Sequence, residues 1–186
     1  YCSAGGVAPR LLVHDSDHGR EMIALAARYE KGLPFDVVPL EINALSGFGH
    51  AEMLVALACG FSEVSMLLTP HADQDVLRRE HALAEAVAGL KRVILLDLND
   101  PRALCEELFS DQITGLTTAP ILPMGTRRQV TRLAAKTLHP EAGKLTLPEA
   151  APYGAILVDT DACTLCLSCV SLCPSGALGD NPDLPQ

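Results

Sequence analysis

Residues 163–174 read Cys-Thr-Leu-Cys-Leu-Ser-Cys-Val-Ser-Leu-Cys-Pro, a C-x2-C-x2-C-x3-C-P run. Cys163, Cys166 and Cys169 stand two residues apart from one another. One tight loop can therefore bring three thiolates to three corners of a cubane iron–sulfur cluster. Cys173 comes one residue later in the rhythm, is followed by Pro174, and points away from that set. Packing or disulfides rarely place four cysteines within eleven residues. A zinc site sets two cysteine pairs apart by a longer spacer so that the ligands close a tetrahedron, which this uninterrupted run fits poorly.

The flanks extend the pattern. Ala155-Ile156-Leu157-Val158-Asp159 reads as a short strand entering the cysteine loop, and Pro174-Ser175-Gly176-Ala177-Leu178 follows the last cysteine. The segment from Gly154 to Leu178 resembles the first half of a bacterial-type 2[4Fe-4S] ferredoxin. The resemblance implies [4Fe-4S] clusters that relay single electrons. Cys163, Cys166 and Cys169 would hold one cluster, and Cys173 another whose own triplet comes from a second copy of the motif. Thirteen residues follow Cys173 and none is a cysteine. The implied module is therefore partial: two clusters belong to an intact, longer protein, and the loop in this chain stays apo where no fourth ligand is supplied. A start at Tyr1 instead of methionine agrees with a fragment of a larger oxidoreductase. Cys2 reads as a free thiol, with a fourth-ligand role as its alternative.

Composition sets the class. The 186 residues suffice for one core and a small appendage. A hydrophobic content of 48% beside 20% charged residues is that of an ordinary soluble protein. The formal net charge of −9 argues against nucleic acid bound through a basic surface and suits docking to basic redox partner proteins. No apolar run is long enough to span a bilayer, and no signal-peptide pattern is present. Seven cysteines, four of them in a metal-type run, indicate a reducing compartment, hence the cytoplasm. Oligomeric state leaves no mark in the sequence.

The elements that must position the cysteines come earlier in the chain. Arg10–His14, Phe35–Ile42, Ser62–Leu68 and Arg92–Asp97 read as strands. Helices alternate with them at Glu21–Tyr29, His50–Cys59, about Ala72 to Leu90, and Pro101–Phe109. This alternation predicts an α/β fold, a flavodoxin-like or Rossmann-like parallel sheet of about four strands covered on both faces. It spans residues 9–112. A connector with one helix, Thr126–Leu138, fills 113–152 and covers the sheet edge or bridges to the cysteine module. Residues 153–186 make the partial ferredoxin module.

In such sheets ligands bind beyond the carboxyl ends of the strands. The loops there carry His14, Asp15, Ser16 and Asp17; Ser46, Gly47, Gly49 and His50; His71 and Asp73; and Asn99 and Asp100. The segment His14–Gly19 has one glycine and two carboxylates that repel phosphate, which argues against a flavin or dinucleotide. The histidines read as caps and solvated loop groups, with a metal site near His14, His50 and His71 as the alternative. Cys59 and Cys105 read as helix fillers.

A second resemblance lies in residues 35–71. Val38-Pro39-Leu40-Glu41, then Leu45-Ser46-Gly47, a helix to Cys59-Gly60, and a strand to Thr69-Pro70-His71 look like the delta-subunit domain of methyl-viologen-reducing hydrogenases. That family passes electrons between hydrogenase and heterodisulfide reductase, and carries cluster cysteines in a Cys-Ser-Gly and a Gly-Cys-His. Leu45 and Pro70 stand at those positions here. The resemblance implies a domain without that cluster, kept for scaffolding or docking.

The reading that results is an iron–sulfur electron carrier in preference to a catalyst, with the enzyme question left open. The alternative is an enzyme whose α/β domain binds a small molecule or nucleotide, with the cluster supplying electrons.

Overall fold

The computed structural model describes residues 1–89, 91–110, 115–116, 118, 120–141, 143–154, 156–174, 176 and 178–180. The chain divides into two compact units, Tyr1–Ala150 and Ala151–Gln186.

The first unit is built on four parallel strands, β1 (Arg10–Asp15), β2 (Val37–Ile42), β3 (Glu63–Leu67) and β4 (Val93–Leu96), in the order β2-β1-β3-β4. This is the flavodoxin-like order, in which the chain steps outward once and then crosses back over its first strand. β1 and β3 are buried along their whole length. β1 carries apolar residues on both faces through Leu11, Leu12 and Val13, whereas β3 alternates, and its buried Glu63 and Ser65 are bonded to each other at 2.8 Å. β2 is an edge strand. Its Pro39 has no N–H to offer a ladder, which is tolerated there.

Helices α1 (His18–Tyr29) and α4 (Pro101–Leu108) cover one face. They enclose a core of Leu12, Met22, Val37, Leu67, Leu96, Leu104 and Leu108. Helices α2 (His50–Ala58) and α3 (Gln74–Ala88) pack on β3 and β4 from the other side, and α5 (Arg127–Leu138) packs on α2. The helix expected in the connector thus lies with the α/β unit. Its buried Thr131 and Ala134 show the face it turns inward.

The helix boundaries follow local chemistry. α1 starts three residues earlier than expected because Asp15 Oδ1 accepts the Gly19 N–H at 2.6 Å. A side chain at Gly19 would place its Cβ 2.6 Å from His14 Cβ, so only glycine fits this close approach. α2 stops where Gly60 takes a φ of 102°, with Gly60 N–H on Leu57 O and Phe61 N–H on Ala56 O. These two bonds satisfy the carbonyls a helix end leaves open. α3 spans less than the expected Ala72 to Leu90: Asp73 caps it by accepting the Val76 N–H, and Gly89 closes it at a φ of 65°. Leu90 lies outside the described residues. β2 starts at Val37, because Asp36 is committed to an ion pair and Phe35 is 80% exposed.

Among its described residues the second unit contains one short helix, α6 (Ser168–Ser171). The strand expected at Ala155–Asp159 is not among its described elements. Residues 156–159 have no strand pairing, and Leu157 is 94% exposed. Ala155, Ser175 and Ala177 lie outside the described residues. No described residue of this unit is buried, so its apolar residues cannot hold a strand in place by packing.

Candidate metal centre

Cys163, Cys166 and Cys169 are exposed and Cys173 is half-buried, and all four are free thiols. The first three lie on the loop before and into α6, with Cys169 in that helix and Cys173 two residues past its end. Leu165 and Leu167, on either side of Cys166, have φ values of 55° and 57°. Left-handed backbone at two non-glycine residues costs about 1–2 kcal/mol each. Here it curls the loop around Cys166. Ser168 Oγ sits 3.3 Å from Cys166 Sγ. The Ser168 hydroxyl, followed by the Ser168 N–H and the Thr164 hydroxyl, lowers the Cys166 thiol from 9.0 to about 7. Donors aimed at a sulfur favour its thiolate, the form that ligates metals.

The donor set fits an iron–sulfur cluster: four soft thiols, none in a disulfide, with one already biased toward thiolate. Convergence is a different matter. Among the described residues no three His, Cys, Asp or Glu side chains gather closely enough to hold a metal ion. Small metal-dependent domains gain their geometry on binding, because ligand repulsion and chain entropy oppose assembly beforehand.

Residues 156–179 match the 4Fe-4S binding domain family. The matched stretch contains all four cysteines. No match to the chain was found among curated proteins or among solved structures. The C-terminal segment is thus an iron–sulfur, 4Fe-4S-binding segment, and the match supports a role in electron transfer.

The loops at the carboxyl edge of the sheet are arranged differently. His14 Nδ1 bonds the Asp15 carbonyl at 2.8 Å, and His71 is exposed. His50 is buried, and its Nδ1 lies 2.5 Å from Glu80 Oε2. Glu80 also accepts the His50 backbone N–H at 2.8 Å. These histidines are therefore not brought together.

The helix N-termini at this edge are filled by the chain's own carboxylates. Asp15 occupies α1, Glu52 and Glu80 occupy α2, Asp73 occupies α3 and Asp100 occupies α4. A phosphate needs those N–H groups and would meet negative charge at each. Glu80 and the Ser168 hydroxyl beside Cys166 escaped sequence reasoning. Glu80 is thirty residues from His50 and sits in an ordinary helical position. Ser168 lies inside the cysteine run, so its hydroxyl two residues from Cys166 was a usable signal.

Burial pushes the Glu80 carboxyl up, yet the two hydrogen bonds from His50 outweigh this and hold it below its ordinary 4.5. A carboxylate with a depressed folded value stabilises the fold above its unfolded value and loses that contribution as pH falls through the folded one. Urea midpoints measured from about pH 6 to about pH 3 should therefore fall more steeply for the native chain than for Glu80→Gln. The difference should stay below about 1 kcal/mol, because Glu80 remains partly in water.

The α/β unit also has a cavity of about 670 Å3 between β2 and α2. Leu11, Val38, Leu40, Phe48, Val55 and Phe61 line it, with Glu52 and Arg127 paired at 2.6 Å among its polar groups. Cys59 is exposed beside it, while Cys105 is buried and donates to Gly32 O at 3.4 Å. Cys2 lies in a short exposed turn of the first unit.

Proposed function

We propose that the chain is an electron-transfer segment of a larger cytoplasmic oxidoreductase, with its iron–sulfur unit of the bacterial 2[4Fe-4S] type. The cysteine run, matched to the 4Fe-4S binding domain family, carries this reading. A [4Fe-4S] cluster supplies one-electron redox chemistry. Cys163, Cys166 and Cys169 ligate one cluster, and Cys173 ligates a second whose triplet comes from a motif these 186 residues do not contain. Exposure of Ile156, Leu157, Leu165 and Leu172 supports a unit that gains its core from its clusters and from neighbouring protein.

The α/β unit serves as the docking scaffold for redox partner proteins. Its pattern of strand, turn and helix over residues 35–71 supports a kinship with the delta-subunit domain of methyl-viologen-reducing hydrogenases. Leu45 is buried in the sheet unit and Pro70 is exposed on a loop, and neither side chain can ligate iron. No conserved role in metal binding is therefore carried over to them.

The test is anaerobic reconstitution with iron and sulfide, followed by metal analysis and electron paramagnetic resonance of the reduced protein. About four irons per chain are expected, rising to about eight when a second motif is supplied on an extended chain. No iron in either form would overturn the reading. The apolar cavity favours the second reading, an enzyme with a small-molecule site, since its volume is typical of such sites. A small molecule released on denaturing freshly purified protein, detected by mass spectrometry, would support it.

A further inference from the structure

The order of connections leaves one part of the sheet without a helix of its own. α2 joins β2 to β3, which flank β1, so it lies toward the middle of the sheet and not over the β2 edge. Along β2, Glu41 pairs with Arg20 of α1, and alternation turns Val38 and Leu40 to the opposite face. Leu40 is still 38% exposed there. The cavity of about 670 Å3 occupies this gap. Leu11, Val38 and Leu40 form its floor, Ala51 and Val55 of α2 form a wall, and Val130 of α5 bounds a further side. Small-molecule sites have volumes of roughly 300–1,000 Å3, and this one lies within that range.

We infer that this cavity binds an uncharged, largely apolar small molecule that carries an acceptor oxygen toward Arg127. The inference rests on the second reading above, a small-molecule site in the α/β unit. Charge at the cavity selects the class. The charged side chains among its described lining, Glu52 and Arg127, are paired with each other at 2.6 Å. Glu52 Oε2 also accepts the Gly49 N–H at 3.0 Å, which holds the carboxylate at the start of α2. An anion reaching Arg127 would meet Glu52, and a cation reaching Glu52 would meet Arg127. Either must break a short ion pair or be buried beside a like charge. A neutral molecule does neither. A guanidinium has five N–H donors, and the bond to Glu52 uses one of them, so another can donate to a carbonyl or hydroxyl oxygen. The aliphatic floor and the Phe48 and Phe61 rings supply the apolar area that would hold the rest of the molecule.

The experiment titrates the full chain with prodan, an uncharged naphthalene ketone whose emission moves to the blue in apolar surroundings. Naphthalenesulfonate and naphthylmethylammonium serve as its charged counterparts. Cys59 lines the cavity and is exposed, whereas Cys2 is exposed in a turn outside that lining. Saturating prodan should slow iodoacetamide labelling of Cys59, read by peptide mass spectrometry, and leave Cys2 unchanged. Val55→Trp, which fills the cavity, should lose both the blue shift and the protection. Leu40→Gln, which makes a partly exposed piece of the floor polar, should weaken both, and it decides the matter should Val55→Trp fail to fold. Prodan that does not bind, that binds without protecting Cys59, or that binds Leu40→Gln as well as the native chain overturns the inference. Equal or greater protection by either charged probe also overturns it, and leaves the small-molecule site standing with a different ligand class. A chain in which no probe protects Cys59, and which releases no small molecule on denaturation, overturns the site reading itself.

Discussion

Replacing Asp36 with alanine should cost about 3–5 kcal/mol of stability, enough to unfold much of the α/β unit at ordinary temperature. Arg10 Nε lies 2.7 Å from Asp36 Oδ2, and both side chains are almost fully buried, at 6% and 3% exposure. The guanidinium makes a second bond to Asp36 Oδ1 at 3.3 Å and donates to the Leu108 carbonyl at 2.7 Å. One side chain thus ties the start of β1 to the entry of β2 and to the end of α4. Removing the carboxylate leaves a buried guanidinium with the Leu108 carbonyl as its one remaining hydrogen-bond partner among the described residues, and a buried charge that loses its ion-pair partner is expensive. The effect should appear as a lowered urea midpoint at unchanged slope.

Removing both charges is a sharper test. An Arg10→Leu, Asp36→Leu double variant should recover most of the loss, because burying a paired charge gains little over apolar packing. A double variant as unstable as Asp36→Ala would mean that the pair contributes by geometry, through the Leu108 tether, more than by charge.

The second large effect concerns iron. Cys163→Ala, Cys166→Ala or Cys169→Ala should each abolish cluster uptake, reducing iron from about four per chain to near zero. On the proposed reading each of these three thiols holds one corner of the cluster, and loss of one forfeits both a bond and the loop closure that the bond supports. Cys173→Ala should keep most of that iron in this chain if, as proposed, its sulfur serves a second cluster. Equal loss in all four variants would instead make Cys173 the fourth ligand of a single cluster. Iron and acid-labile sulfide content of each variant, measured after anaerobic reconstitution, separates the two outcomes.

The strands, helices and cysteine run were legible in the sequence because each is a local signal. Strands such as Arg10–Asp15 and Val93–Leu96 are marked by short apolar runs, Leu11–Val13 in the first and the whole of the second, and helix stops such as Gly60 and Gly89 need only their own backbone geometry. The 4Fe-4S-binding character of residues 156–179 was legible for the same reason, since the spacing of Cys163, Cys166, Cys169 and Cys173 is a signal carried within eleven residues. The expected strand at Ala155–Asp159 shows the limit of this. Its apolar residues matched a strand pattern, but a strand needs a partner for its N–H and C=O groups, and no pairing is described for residues 156–159.

What tertiary structure alone decided is the pairing of distant charges. Arg10 meets Asp36 and Leu108 across sequence separations of 26 and 98 residues, and His50 meets Glu80 across 30. No propensity or period encodes these, because the strand order β2-β1-β3-β4 creates the neighbourhoods in which they form. The same folding sets Asp15, Glu52, Glu80, Asp73 and Asp100 on the helix N-termini at the carboxyl edge. Composition alone gives those residues a negative charge; only their positions turn the phosphate-binding edge of a flavodoxin-like sheet into one occupied by its own carboxylates.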